Sequence, residues 1–217
     1  MSRSILATQV LSISTALISS GGIFALTLFN VPLLQAQPAS RSLPSIRWLF
    51  SRGSHIFPTA AFLSAAGFSY LAFAALPLRQ KAILQLLKFA SNSAKVNTYL
   101  AAAALSMSIG PVTSIMIPTN FTLIKLNEEK GGARSERLAR EGHAEPSGRS
   151  AEESVNDKAG GLEWTDLSGP QGKTTRDSTG KEDERVRELL GVFGRWNAVR
   201  GGLLAAGGVV GLVAALM

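Results

Sequence analysis

An all-α, integral membrane four-helix bundle, with one long polar loop between helices 3 and 4, is the fold class this sequence predicts. Three observations predict it. Four apolar runs are each about as long as the roughly 20 residues a bilayer crossing needs. All 15 Asp and Glu residues lie between Glu128 and Glu188, so the apolar portions on either side hold no carboxylate side chain. Those portions still hold eleven of the 22 Lys and Arg residues, set between the runs rather than along one polar face. A soluble core does not exclude one sign of charge so completely, whereas a membrane protein with basic flanks does.

The first run, residues 5–29 (ILATQVLSISTALISSGGIFALTLF), carries no charge. A helix is required because an open strand would leave backbone groups unpaired in lipid. The uncharged core is longer than the ~7–15 residues of a signal-peptide core, and no small-x-small site follows, so it reads as a retained span. Asn30 and Pro32, in LFNVPLL, are read as its stop. A short loop, 30–55, holds Arg41, Arg47 and Arg52, with His55 at its end in RGSHIFP and Ser54 placed to cap the next helix.

The second run is 56–76. The connection 77–97 brings Arg79, Lys81, Lys88 and Lys95, and the third run is 98–118, where Pro111 after Gly110 predicts a kink. Pro118 is read as the stop of the third helix, with Asn120 two residues on. Residues 128–185 are dense in Glu, Lys, Arg, Gly and Ser. Such a composition buries too little apolar surface to offset chain entropy, which predicts disorder over 128–181. LEWTDL at 162–167 is its one amphipathic island and a candidate for docking on the bilayer. EDERVRELLGVFGRW at 182–196 predicts an amphipathic helical lead-in, acids first. The fourth run, 198–217, is rich in small residues, and Gly207-x-x-x-Gly211 predicts close helix approach. The partition is therefore 1–127 (helices 1–3), 128–185 (polar loop) and 186–217 (lead-in and helix 4).

The chemistry available is sparse. The chain has no Cys, which excludes disulfides and thiolate metal sites, and only two His. The basic balance belongs to membrane flanks, so no nucleic-acid partner is expected. The polar residues near the spans are few: Asn30, His55, Asn97, Asn120, Trp196, Asn197 and Arg200. Trp196 and Arg200 stand four apart and share a helix face, with Asn197 three before Arg200. The plain reading is an interfacial Trp with a snorkelling Arg. The sharper one is an inward Arg that, lacking a bundle carboxylate, meets a ligand oxygen, an amide or a lipid phosphate. His55 is a surface residue by the plain reading and a general base by the sharper one. Span parity puts Asn30, His55, Asn120 and Trp196–Arg200 at one membrane face, whichever way the chain is oriented. Loop charges leave that orientation open.

Four spans, an early Asn30-x-Pro32, Pro118-Thr119-Asn120-x-x-Leu123 closing the third run, and Trp196-Asn197-x-x-Arg200 opening the fourth together resemble the anthrone oxygenase-like family of fungal membrane proteins. The resemblance covers roughly 1–127 and 186–217, with 128–185 as an insertion. It implies oxidation of an anthrone to an anthraquinone in secondary metabolism, with O₂ as co-substrate and no added cofactor or metal. An anthrone carbanion is a stabilised phenolate that passes an electron to O₂ unaided. The protein need only bind a flat aromatic polyketide, take a proton and hold an oxyanion. The roles implied are His55, Asn120 and Arg200 as catalytic groups, with Asn30, Trp196 and Asn197 on the substrate. The partners are the lipid bilayer and the aromatic substrate; the oligomeric state stays open. The expected location is the endoplasmic reticulum or another endomembrane. A non-catalytic tetraspan scaffold is the alternative, and a carrier is weaker because no inverted repeat is visible.

Overall fold

Each apolar run falls largely within a helical stretch far longer than a bilayer needs. The computed structural model describes residues 2–142 and 166–217, and no strand occurs among them. Helix α1 spans Arg3–Ala25 and passes through a π-helical turn, Leu26–Asn30, into α2, Val31–Gln35. Helix α3 is Ala39–Ala74, and three 3₁₀ turns follow, at Leu78–Gln80, Ile83–Leu87 and Phe89–Ser91. Helix α4 is Ala94–Met107, α5 is Ile109–Glu129, α6 is the short Glu136–Arg140, and α7 is Gly180–Leu216. Four continuous stretches, Arg3–Gln35, Ala39–Ala74, Ala94–Glu129 and Gly180–Leu216, are long and apolar enough to cross a membrane. At 1.5 Å per residue each measures about 50–55 Å, against a hydrocarbon thickness of about 30 Å. The chain is thus an all-helical, multi-pass membrane protein.

The surplus length corrects several expected boundaries. Segment 30–55 is not a loop: only 36–38 separates α2 from α3. Ser54 caps nothing, being mid-helix with its hydroxyl donating to the Ser51 carbonyl at 3.3 Å. Nor do Asn30 and Pro32 stop the first helix. The chain widens by one residue per turn at Leu26–Asn30, with the Val31 N–H donating to the Leu26 carbonyl, and Pro32 falls in the first turn of α2, where its missing N–H is tolerated. Pro118 likewise sits inside α5, which runs on to Glu129. Proline in a spanning helix is tolerated where neighbours and hydroxyls satisfy the freed groups. The interruption expected near Pro111 does occur, at Ser108 between α4 and α5. That is one turn earlier, beside the Met107 carbonyl that the Pro111 ring would strike in a regular helix.

Contacts divide the chain into two compact units: Met1–Phe24, Phe57–Thr113 and Asn197–Met217, and Ala25–Ile56 with Ser114–Trp196. The first unit takes part of every span. Its core joins Ala16 and Ile23 of α1, Ala65, Phe68 and Ala72 of α3, Tyr99 and Ala102 of α4, and Leu204 and Ala214 of α7. Small residues set the helix spacing, as the Gly207-x-x-x-Gly211 pattern predicts. A methyl at Gly207 would lie 2.7 Å from Ser106 Oγ and 3.1 Å from the Ala102 carbonyl, and one at Gly211 would strike the Phe68 ring.

The second unit folds the flanks of the polar segment. Helix α5 ends in a Schellman motif: Gly131 is left-handed (φ 72°), its N–H donates to Glu128 O at 2.8 Å, and Gly132 N–H donates to Asn127 O at 2.8 Å. Residues 166–179 then form a strap. Thr174 N–H donates to Ser40 O at 2.8 Å, Arg176 N–H to Lys130 O at 3.0 Å, and Trp48 Nε1 to Ser168 O at 3.0 Å. Ala39 N–H, at the start of α3, donates to Asp183 Oδ1 at 2.7 Å. The expected disorder therefore does not extend to 128–142 or 166–181. Residues 143–165, with most of LEWTDL, lie outside the described residues.

Candidate functional site

Two polar groups of the fourth span fall together in the first unit. On α7, Asn197 and Arg200 lie three residues apart and so share a face with Leu204, which is fully buried. Gly201, between them and Leu204, brings the helix against α1: a methyl there would sit 3.2 Å from Ile23 and 3.3 Å from the Phe24 ring. Ser20 Oγ of α1 donates to the Gly201 carbonyl at 2.8 Å. Asn197 Nδ2 donates to the Ile23 carbonyl at 3.0 Å, and Arg200 Nη1 donates to Asn197 Oδ1 at 3.4 Å. Asn197 is 1% exposed and Arg200 6%, so this arginine is enclosed by protein and does not snorkel. An enclosed guanidinium costs several kcal/mol of lost hydration. It is an uncommon feature of a span and a strong donor for an oxyanion.

The other sequence-predicted residues belong to the second unit. His55 is half-buried on α3, Asn30 closes the π-helical turn, and Trp196 is half-buried on α7. Asn120, on α5 two residues beyond Pro118, is half-buried, yet its Oδ1 is fully enclosed without a hydrogen-bond partner among the described residues. An unmet acceptor of this kind costs about 1–3 kcal/mol, which makes it a position worth testing for function.

One polar pair escaped the sequence reading. Gln9 Nε2 donates to the Tyr99 hydroxyl at 2.7 Å, and both residues are buried in the first unit. A glutamine within an uncharged run was the available signal, since such an amide needs a partner in lipid. The π-helical turn had none: its sequence, LTLFN, resembles any other apolar turn.

Several charged groups of the second unit are paired, among them Lys130 with Glu182 and Arg137 with Asp166. Lys130 Nζ donates to Glu182 Oε1 at 2.6 Å. That bond, with those from the Thr179 N–H and hydroxyl, lowers the Glu182 carboxyl to about 2. For Asp166, burial favours the neutral acid, but hydrogen bonds from Ser135 and Ser168 and the charge of Arg137 outweigh it and lower the group to about 2. Among the described residues, no three His, Cys, Asp or Glu side chains come close enough to hold a metal ion.

Residues 47–210 match the anthrone oxygenase family. No curated protein and no solved structure matches the chain. The family match spans well over half of the sequence. It takes in His55, Asn120, Trp196, Asn197 and Arg200, and Asn30 falls outside it. With four membrane-crossing helices and a match of that extent, the chain belongs to the anthrone oxygenase family.

Proposed function

We propose that the protein is a membrane-bound, cofactor-independent oxygenase that converts an anthrone-type aromatic polyketide to the anthraquinone. The observation that carries the proposal is the family match over residues 47–210. The enclosed Asn197–Arg200 pair supports it, because a charged donor inside an apolar bundle suits an apolar substrate that becomes an anion.

The chemistry asks little of the protein. A base removes one proton from the anthrone methylene, and the resulting phenolate gives one electron to O₂. Carbon radical and superoxide combine into a hydroperoxide at that carbon. Loss of its remaining hydrogen as a proton, with cleavage of the O–O bond, yields the ketone and one water. One O₂ is consumed, one oxygen atom enters the product and the other leaves as water. His55 is assigned the first proton and Arg200 the developing phenolate. Both ends of the Asn197 amide are engaged, by Ile23 and by Arg200, so its part is to position Arg200. Asn120, Trp196 and Asn30 are assigned to substrate contact, the indole by stacking on the ring system. A flat apolar substrate partitions into lipid, which fits an endomembrane such as the endoplasmic reticulum.

The test is anthrone oxidation by membranes containing the wild-type protein, His55→Ala or Arg200→Lys, each measured above the spontaneous rate in air. The proposal expects loss of most turnover in both variants at normal protein levels. Lys keeps the charge but cannot reproduce the planar fork. Wild-type turnover in both variants would overturn these assignments, and no turnover above air by the wild-type protein would overturn the activity.

A further inference from the structure

The connection between α3 and α4, PLRQKAILQLLKFASNSAK at 77–95, is turned inside out relative to a soluble loop. Its half-buried amides Gln85, Asn92 and Asn97 bond back onto the segment itself. Gln85 Nε2 donates to Ser91 Oγ at 2.9 Å and lies 3.4 Å from Asn92 Oδ1. Asn92 Nδ2 donates to the Leu86 carbonyl at 3.3 Å, and Asn97 Nδ2 to the Phe89 carbonyl at 2.8 Å. These bonds tie the second and third 3₁₀ turns together, and Leu86 packs on the core of the first unit. The apolar side chains point outward: Leu78 is 85% exposed, Ile83 76%, Leu84 73%, Leu87 68% and Phe89 58%. Water is an unfavourable medium for such a surface, which sets five exposed large apolar side chains between Leu78 and Phe89.

What covers it follows from position and charge. The segment joins two helices that cross the membrane, so its apolar face continues the lipid-facing surface of those helices. Arg79, Lys81 and Lys88 are exposed among the apolar residues, Lys95 follows, and no carboxylate occurs before Glu128. Long basic side chains can rise from an apolar face to reach phosphates at the headgroup level. The surface is therefore complementary to a negatively charged leaflet.

We propose that residues 77–95 are an anionic-lipid clamp. Leu78, Ile83, Leu84, Leu87 and Phe89 enter the boundary between headgroups and acyl chains, while Arg79, Lys81 and Lys88 bind headgroup phosphates. Anionic lipid is concentrated in the cytoplasmic leaflet, so the clamp assigns this connection to that leaflet. The inference is independent of the reaction catalysed.

The chain has no cysteine, so one introduced at Leu84→Cys is a unique labelling site in the full-length protein. The protein is labelled there with a polarity-sensitive fluorophore and placed in nanodiscs of phosphatidylcholine with or without phosphatidylserine. Quenching by shallow spin-labelled lipid, with protection from aqueous iodide, is expected. In parallel, the variant Arg79→Gln, Lys81→Gln, Lys88→Gln is assayed for enrichment of phosphatidylserine over phosphatidylcholine around the protein. Each basic residue near the surface contributes a factor of about five, so the triple variant should lose about a hundredfold in preference for the anionic lipid. Raising salt should erode the wild-type preference. Free access of iodide to the label would overturn the proposal, as would shielding from both quenchers, which would mean a protein partner. Unchanged phosphatidylserine enrichment in the triple variant would overturn the headgroup contacts.

Discussion

Replacing Asn197 by Leu removes two bonds at once: the 3.0 Å donation to the Ile23 carbonyl and the 3.4 Å acceptance from Arg200. The substitution keeps the side chain about the same size, so little cavity results. An interhelical hydrogen bond in a membrane protein contributes about 0.6 kcal/mol on average and about 1.7 at most. The second bond is long and adds less, so unfolding in detergent should cost about 1–2 kcal/mol less than in the wild type. Turnover is the more telling quantity. Arg200 loses one of the acceptors that orient it, and a misplacement of about 1 Å at a reacting centre costs on the order of a hundredfold. The assay is quinone formation and O₂ uptake above the spontaneous rate, in nanodiscs, with thermal unfolding measured on the same sample. The expected result is a fall in kcat of about ten- to a hundredfold with little change in KM, because the proposed role of Arg200 is to hold the developing anion. A stability loss of the stated size with wild-type kcat would show that Asn197 only ties α7 to α1, and the positioning argument would fail.

Two other predictions concern parts of the fold remote from that pair. Gly211→Leu should split α7 from the Phe68 ring, because even a methyl at this position strikes it; overpacking of this kind costs about 1–3 kcal/mol, read as a lower midpoint of thermal unfolding. The strap should loosen in acid. Glu182 and Asp166 both titrate near 2 in the folded chain, below an ordinary carboxyl, so their contribution is present above about pH 4.5 and lost as pH falls toward 2. A spin label at Thr175→Cys should gain mobility across that window and show none at pH 6–8; a flat response down to pH 2 would rule out these ion pairs as the fastening.

The sequence made the spans and their number legible because hydropathy and the segregation of carboxylates answer to one cause, the cost of charge in lipid. Boundaries were less legible for the same reason. A hydropathy window sees where the lipid ends, not where the helix ends, so 39–55 read as loop although α3 begins at Ala39, whereas the acids-first pattern at 182–196 did mark a helix, which begins at Gly180. The strap was hidden for a different reason. Thr174 and Arg176 are fastened through backbone N–H groups, and Ser168 through its carbonyl, none of which leaves a mark in composition. At the candidate site, the spacing of Asn197 and Arg200 placed them on one face, as found. The partner of Asn197 is a backbone carbonyl on α1, and no residue identity encodes that.

Pro118 and Asn120 join that lesson to a sharper test. As a helix stop, the pair would need no further role, and any loss in an Asn120 variant could be blamed on a misplaced helix end. Helix α5 instead continues to Glu129, with Thr122 Oγ1 donating to the Pro118 carbonyl at 2.8 Å. The amide is therefore not required to end anything. Its Oδ1 is enclosed without a partner among the described residues, and burying such an oxygen is a cost the folded chain carries. Asn120→Leu removes that cost, so thermal stability should stay level or rise by up to about 1 kcal/mol. Turnover should nevertheless fall about tenfold or more if the amide contacts a quinone-type oxygen, because a substrate oxygen stranded without its donor costs about 1–3 kcal/mol. Stability and activity then move in opposite directions, which a purely structural residue cannot produce. Loss of both together would return Asn120 to a packing role, and a gain in stability with unchanged turnover would show an amide that serves neither fold nor substrate.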